Sequence, residues 1–389
     1  MWHWRTRPRT IAALLPRHSR HPPSQRPSIA SALEPLYNLP PRKHSMAETI
    51  RVGIIGAGWP GTAHAKGYQA AGGFKVVAVA DLIPSRRKAL RDELGIAREY
   101  ASADELLAGE PLEAVSVCLP THLHAPVACS ALRAGRHVMC EKPPALDAAE
   151  ARQMHNAAVK AGKVLMYALQ RRFGPAEQAA RMAIDKGYVG EAYHARAVWT
   201  RTRGIPRGTG WFTHKEKSGG GALIDIGVHM LDIAWNLLGQ PRPASAFGIT
   251  HSRFRSLLAD DATYDVEDAA FALLRFDGGK SIELAATWAI NQPPTQNGTV
   301  CRIYGTSGAI EVYTPAGPVL YRDFAADGTC RQNPLKTPRL AGHAALMRHF
   351  RDCIHGKATP SAGAAQGVTL MQMIDGIYRS SRSGKSVKL

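Results

Sequence analysis

The sequence predicts an α/β protein, with an N-terminal doubly wound parallel sheet and a second α/β domain whose sheet is mostly antiparallel. Three observations carry this. Short, continuously apolar runs alternate with helical stretches from Ile50 to Cys140, the pattern of parallel strands covered on both faces. A glycine turn, Gly56-Ala57-Gly58-Trp59-Pro60-Gly61, separates the first such run from the first helical stretch. After about Gln170 the runs lengthen and alternate apolar with polar residues, as half-buried antiparallel strands do. With 389 residues, 45% hydrophobic and 21% charged, the chain is long enough for two domains and too apolar for a disordered or fibrous protein.

Residues 1–45 hold eight prolines, eight basic residues (Arg5, Arg7, Arg9, Arg17, Arg20, Arg26, Arg42, Lys43) and one acid, Glu34. Lacking helical or strand periodicity, they read as a disordered basic extension. Three explanations stay open: an organellar transit peptide, a basic tail for polyanions, or upstream sequence ahead of a true start at Met46, which is the preferred one. The extension contributes +7 to the formal net charge of +18, leaving +11 for the rest. Charge alone therefore makes a weak case for a nucleic-acid partner. The six cysteines form no CxxC pair, which fits a reducing, cytoplasmic compartment and no metal site. No apolar run reaches the roughly 18 residues of a membrane span.

From Ile50 the order is strand (50–58, ending in the glycine turn), helix over Gly61–Gly72, and strand over Lys75–Asp81. The run Ala114–Leu119 predicts the next strand, Pro126–Ala134 a helix, and His137–Cys140 a short strand. Later strands are expected at Tyr193–Thr202, Ala269–Phe276, Lys280–Ala289 and Cys301–Tyr313, with Asp277-Gly278-Gly279 as a turn.

The glycine turn is a GxGxxG placed after a strand and at the mouth of a helix, with Asp81 closing the next strand 20 residues after Gly61. That context makes it a dinucleotide fingerprint: Gly56 for the tight turn, Gly58 for close approach to a pyrophosphate, Gly61 for close packing, and the carboxylate for the adenosine ribose. Trp59 and Pro60 share the loop. Asp81 repels a 2′-phosphate and so favours NAD, while Arg86 and Arg87 keep NADP open.

Two further segments end parallel strands on the edge where such sheets bind ligands. Pro120, Thr121, His122 and His124 follow one, and Glu141-Lys142-Pro143 follows the next; these line a candidate cofactor site, and Lys142 is a candidate to polarise a substrate oxygen. In the segment from Ser218 to Gly239, helical spacing at about 100° per residue puts Asp225, His229 and Asp232 on one stripe among apolar residues. A buried polar stripe needs partners or work to do. A satisfied core pair and a metal pair with unidentified further ligands stay open as alternatives. Gly227 inside the helix implies close approach by another group.

Taken together, these residues resemble the Gfo/Idh/MocA oxidoreductases. The likeness runs from about Ile50 to Leu389 and rests on the glycine turn with Asp81, Pro120–His124, Glu141-Lys142-Pro143, Gly219-Gly220-Gly221 leading to Asp225 and His229, and the closing Gly376 to Val387 segment. The resemblance implies a Rossmann domain at 46–168, a substrate and oligomerisation domain with an open sheet at 169–340, and C-terminal helices at 341–389 returning towards the first domain. It implies NAD as cofactor, Lys142 as active-site lysine, His229 as general acid/base and Asp225 beside it. Gln170 and Arg172, near the family's Arg-Arg-Phe, join Trp211, Asp225 and His229 as candidate substrate-binding residues. A sugar or polyol substrate and a homodimer or homotetramer are implied as well. Thr121 and Gln170 replace asparagines frequent in the family.

Such a constellation would oxidise a secondary alcohol, with His229 taking the hydroxyl proton and Lys142 stabilising charge on the oxygen. Arg201, Arg203, Arg207, Lys215 and Lys217 around Trp211 and Phe212 could hold a sugar ring with an anionic substituent. Two other readings compete: tightly held, recycled NAD assisting epimerisation, elimination or glycoside cleavage, and a nucleotide-sensing protein that has lost chemistry.

Overall fold

The structure is a computed structural model that describes residues 49–206, 210–259 and 263–389. The extension 1–45, Met46 and Arg207 lie outside them.

The first sheet is built from β1 (Ile50–Ile55), β2 (Phe74–Ala80), β3 (Arg98–Tyr100), β4 (Ala114–Val117), β5 (His137–Cys140) and β6 (Leu165–Tyr167), in the order β3-β2-β1-β4-β5-β6. Every pairing in it is parallel. The helices are α1 (Trp59–Ala71), α2 (Pro84–Leu94), α3 (Ala103–Gly109), α4 (His124–Arg133) and α5 (Ala148–Ala161). The apolar runs are strands because helices cover both sheet faces: all four residues of β4 are buried. Two helix starts are capping boxes. Ser102 accepts the Glu105 N–H and Asp147 accepts the Glu150 N–H, while Glu105 and Glu150 bond back to Ala101 and Leu146.

The chain continues through α6 (Pro175–Asp185), β7 (Ala192–Thr200), α7 (Lys215–Ser218), α8 (Val228–Leu237), β8 (Pro243–His251), β9 (Ala269–Phe276), β10 (Ser281–Thr287), β11 (Gly298–Gly305), β12 (Gly308–Glu311), β13 (Val319–Arg322) and β14 (Arg331–Pro334). It ends with α9 (Gly342–Ile354), α10 (Ala364–Ser383) and β15 (Val387–Lys388). The second sheet runs β14-β13-β12-β11-β7-β10-β9-β8-β15, antiparallel except where β10 pairs with β7. Helix α8 lies against its inner face. A Cβ on Gly227 would come within 3.0 Å of Ala286 Cβ on β10, so the glycine marks close helix–sheet contact as its position implied.

One expectation needs correction. Cys301–Tyr313 is not one strand but the hairpin β11–β12, turning at Thr306-Ser307; a Cβ on Gly305 would lie 2.2 Å from the Val189 carbonyl oxygen, so the backbone folds against a neighbouring segment there. The C-terminal helices pack against the first domain. Arg351 of α9 donates to the carbonyls of Ala71 and Gly72 after α1, and Asp375 of α10 accepts the Ala148 N–H at the start of α5. Helix α10 also meets the second sheet, where Ser380 accepts the Gly248 N–H of β8, and β15 pairs with β8.

Candidate active site

The glycine turn is shaped by contacts that leave no room for side chains. Gly56 has φ +98°, and a Cβ there would meet the Cys118 carbonyl oxygen at 2.2 Å. A Cβ on Gly61 would lie 2.0 Å from the Gly56 oxygen. Gly58 differs, because a Cβ would approach only Pro60 Cδ, at 3.6 Å. The fold therefore requires the first and third glycines, and the second leaves backbone bare towards open space. That arrangement fits a dinucleotide phosphate at the N-terminus of α1. Gly58→Ala is expected to leave the melting temperature nearly unchanged yet weaken NADH binding by roughly tenfold or more, about 1.4 kcal/mol, in a fluorescence titration. Gly61→Ala, by contrast, is expected to lower the melting temperature.

Asp81 closes β2, and its two oxygens accept the N–H groups of Ala57 and Ile83, both at 2.8 Å. The carboxylate is thereby fixed beside the glycine turn with lone pairs to spare. Trp59 is 70% exposed over the turn and Pro60 is half-buried. Arg86 is exposed on α2, and its neighbour Arg87 donates to the Asp81 carbonyl at 2.9 Å.

The loop after β4 places Pro120 and His122 at half-buried positions and buries Thr121. His122 Nδ1 lies 3.3 Å from the Lys217 carbonyl. His124 is buried, with its ring nitrogens 2.8 Å from the carbonyls of Leu119 and Pro143, and burial pushes its pKa down. Its expected place in the cofactor site is corrected: the ring is enclosed between the carbonyls of the two strand-end loops and donates its single N–H to one of them. The Lys142–Pro143 peptide is cis.

Lys142 Nζ donates to Asp225 Oδ1 at 3.0 Å and to the Asp225 carbonyl at 3.1 Å. Trp288 Nε1 donates to the other carboxylate oxygen at 2.9 Å. Asp225, expected beside His229 and among the substrate-binding residues, holds the Lys142 ammonium. It sits in a wider, π-helical turn, Leu223–Gly227, immediately before α8. Such turns recur at functional sites.

His229, one turn further on, is buried, and its Nδ1 has no hydrogen-bond partner. Its ring lies 5.9 Å from that of Trp199. Burial, aided by the positive charges of Lys142, Arg171 and Arg201, holds its pKa well below the ordinary imidazole value. Both guanidiniums stack on Trp199, at 4.4 Å for Arg171 and 4.8 Å for Arg201. None of Trp199, Arg171 and Arg201 was singled out as a ring neighbour of His229. The available signal was position: β7 ends at Thr200, and Trp199 and Arg201 bracket that end.

Other predicted residues separate from this group. Asp232 does not continue the polar stripe: its carboxylate takes Arg172 Nε at 2.8 Å, the same guanidinium also bonds its second oxygen and the Ser361 carbonyl, and both side chains are buried. Arg172 is thus corrected from a substrate ligand to a buried structural partner. Trp211 stacks on Phe212, ring centroids 3.9 Å apart, and Phe212 packs on the cluster around Trp288. Gln170 has a buried Oε1 without a partner. Glu141 is buried between His64, at 2.9 Å, and the Lys142 N–H, at 3.0 Å, rather than lining the cofactor site. Burial pushes its carboxyl up, but the His64 and Lys142 contacts outweigh that and hold it down.

A phosphate-ready glycine turn on a parallel sheet, in a chain that also brings together Lys142, Asp225 and a buried His229, fits a dinucleotide-dependent oxidoreductase by class. Comparison with known proteins narrows the class. A family model described as "Oxidoreductase family, NAD-binding Rossmann fold" matches residues 50–169, and the GFO/IDH/MocA C-terminal domain matches residues 178–311. The chain is 34% identical to D-glucoside 3-dehydrogenase of Escherichia coli K12, covering 87% of this chain and 97% of that protein. It is 27% identical to inositol 2-dehydrogenase of Rhizobium meliloti, over 88% and 99%. The crystal structure of GenD2 from gentamicin A biosynthesis, in complex with NAD, superposes with a TM-score of 0.73 at 26% identity, covering 90% and 99%. The chain belongs to the Gfo/Idh/MocA family of NAD-binding oxidoreductases.

Proposed function

We propose that the protein oxidises a secondary hydroxyl of a sugar or polyol, or reduces the corresponding ketone, with His229 as general acid/base and Lys142 as electrostatic stabiliser. The observation that carries this is the pairing of a tethered Lys142 ammonium with a buried imidazole whose Nδ1 lacks a partner. The relatives that act on a D-glucoside and on inositol support a polyhydroxylated substrate. NAD, when bound, supplies the hydride acceptor. The protein's own work is positional and electrostatic. His229 takes the hydroxyl proton as the carbon–hydrogen bond breaks, and the oxygen becomes a carbonyl. Lys142, held by Asp225, stabilises the negative charge that develops on that oxygen before the carbonyl forms. Asp225 is itself held by Trp288, so the lysine is positioned through two hydrogen bonds from the second sheet's strand end and π-turn. A panel of pyranoses, glycosides and inositols, assayed for NADH formation at 340 nm, tests the reading; no NADH from any of them overturns it.

The same reading includes self-association. Phe247, Ile249, Phe271 and Leu273 are 37–48% exposed on the outer face of the second sheet. They sit in directly opposed cross-strand pairs, Phe247 with Leu273 and Ile249 with Phe271. A contiguous apolar patch of this kind marks an interface, here one with a second copy in a dimer or tetramer. Leu273→Lys combined with Phe271→Lys is expected to yield a monomer by sedimentation, and the wild-type chain is expected to sediment as an oligomer. No helix among the described residues is long and apolar enough to cross a membrane.

A further inference from the structure

Beneath the candidate active site runs a buried chain of hydrogen bonds that the proposed reaction does not use directly. Tyr68 Oη lies 2.8 Å from Ser116 Oγ, Ser116 Oγ 3.0 Å from His64 Nδ1, and His64 Nε2 2.9 Å from Glu141 Oε1. Glu141 Oε2 then accepts the backbone N–H of Lys142 at 3.0 Å. Tyr68, His64 and Ser116 are fully buried, and Glu141 is 5% exposed. His64 and Tyr68 belong to α1, Ser116 to β4, and Glu141 follows β5.

Donor and acceptor roles along this chain are mutually determined. An ionised Glu141 only accepts, so His64 Nε2–H donates to it, as does the Lys142 amide. With one proton on the ring, His64 Nδ1 accepts from the Ser116 hydroxyl, which in turn accepts from Tyr68. Burial pushes the Tyr68 phenol up, which keeps it a donor. Every polar group is satisfied with a single proton on His64, and a fully satisfied buried network is rigid. His343 of α9 stands over His64, ring centroids 5.7 Å apart, and the His64, Glu141 and His343 ligand atoms lie within 4.8 Å of one another. Both His64 nitrogens are already engaged, so the cluster reads as hydrogen bonding, not as metal ligation.

The consequence concerns Lys142. Its side chain is fixed from one side by Asp225, and its backbone from the other by Glu141. Glu141 is in turn fixed by the second turn of the helix whose first turn begins at Gly58-Trp59. We infer that His64 and Glu141 are positioning residues that hold the Lys142 loop in register with the dinucleotide-binding helix. This inference rests on Lys142 acting as proposed above. Losing the strut leaves Glu141 without its imidazole donor, and a displacement of the lysine by even about 1 Å costs up to about a hundredfold in rate.

The test compares full-length wild type, His64→Leu, His64→Gln, Glu141→Gln and Lys142→Met on a sugar that the wild type oxidises. His64→Leu is expected to lower kcat by about ten- to a hundredfold, with sugar KM and NAD affinity close to wild type. Hydrogen–deuterium exchange at the Lys142 amide is expected to accelerate in parallel. His64→Gln restores an N–H donor to Glu141 and is expected to recover most of both. Glu141→Gln has one acceptor oxygen for two donors; it is expected to reproduce the loss even if His64→Leu proves insoluble. Wild-type kcat or wild-type amide protection in a folded His64→Leu or Glu141→Gln overturns the inference. Wild-type turnover in Lys142→Met overturns the proposed function instead, so the two failures are distinguishable.

Discussion

Replacing Lys142 with methionine is expected to lower turnover by on the order of 10²–10³-fold while leaving NAD binding nearly intact. Methionine keeps the length and packing of the side chain and removes the ammonium. The lysine is 14% and Asp225 13% exposed, so their ion pair is neither solvent-screened nor sealed from a ligand. Its hydrogen bond to Asp225 Oδ1 and that carboxylate's bond from Trp288 form a tether that holds the ammonium before any substrate arrives. Preorganisation of this kind gives a charged donor its effect on a developing negative charge, because little reorganisation remains at the moment of reaction. Asp225 retains the Trp288 N–H in the variant, so a normal melting curve is expected and lost activity is attributable to the ammonium. Wild-type kcat in a folded Lys142→Met, measured on a substrate the wild type oxidises, rejects the role.

Much of this arrangement was legible in the sequence, and the illegible part has physical reasons. The parallel sheet announced itself because strands buried on both faces are continuously apolar, and the GxGxxG was interpretable because a strand preceded it and an acid followed at the right distance. The steric contacts of Gly56 and Gly61 with the backbone bear this out. What a sequence does not display is partnership at long range. Asp232 shares a helical stripe with Asp225 and His229, but its partner Arg172 lies 60 residues away, and the wider turn at Leu223–Gly227 departs from the regular 100° spacing. His124 and Glu141 carry residue types that suit a cofactor site, yet the His124 ring is enclosed between two backbone carbonyls and the Glu141 oxygens are taken up by His64 and the Lys142 N–H. His64, a lone histidine in α1, and Trp199, a tryptophan in a strand, gave no periodic signal, and each acquires meaning only from what the fold brings beside it.

His229→Ala is expected to reduce kcat by about 10²–10⁴-fold, the usual contribution of a positioned general base, and the pH profile of the unmodified protein gives this role a second, independent check. A base works in its unprotonated form. Burial, with Lys142, Arg171 and Arg201 nearby, holds the His229 pKa well below the ordinary value, so the imidazole stays neutral into mildly acidic solution. The acid limb of kcat/KM for alcohol oxidation is therefore expected at a lower pH than an exposed histidine would give. Removing one of the surrounding charges reverses part of the shift. Arg201→Gln takes away a guanidinium that stacks on Trp199, the ring neighbour of His229. Protonating His229 then becomes easier, its pKa rises, and the acid limb moves to higher pH. The reverse reaction uses the same group as an acid, so ketone reduction is expected to gain rate as the pH falls towards that pKa, in both wild type and variant. A limb that moves to lower pH in Arg201→Gln, or a profile unaltered by His229→Ala, would assign the proton transfer to another group.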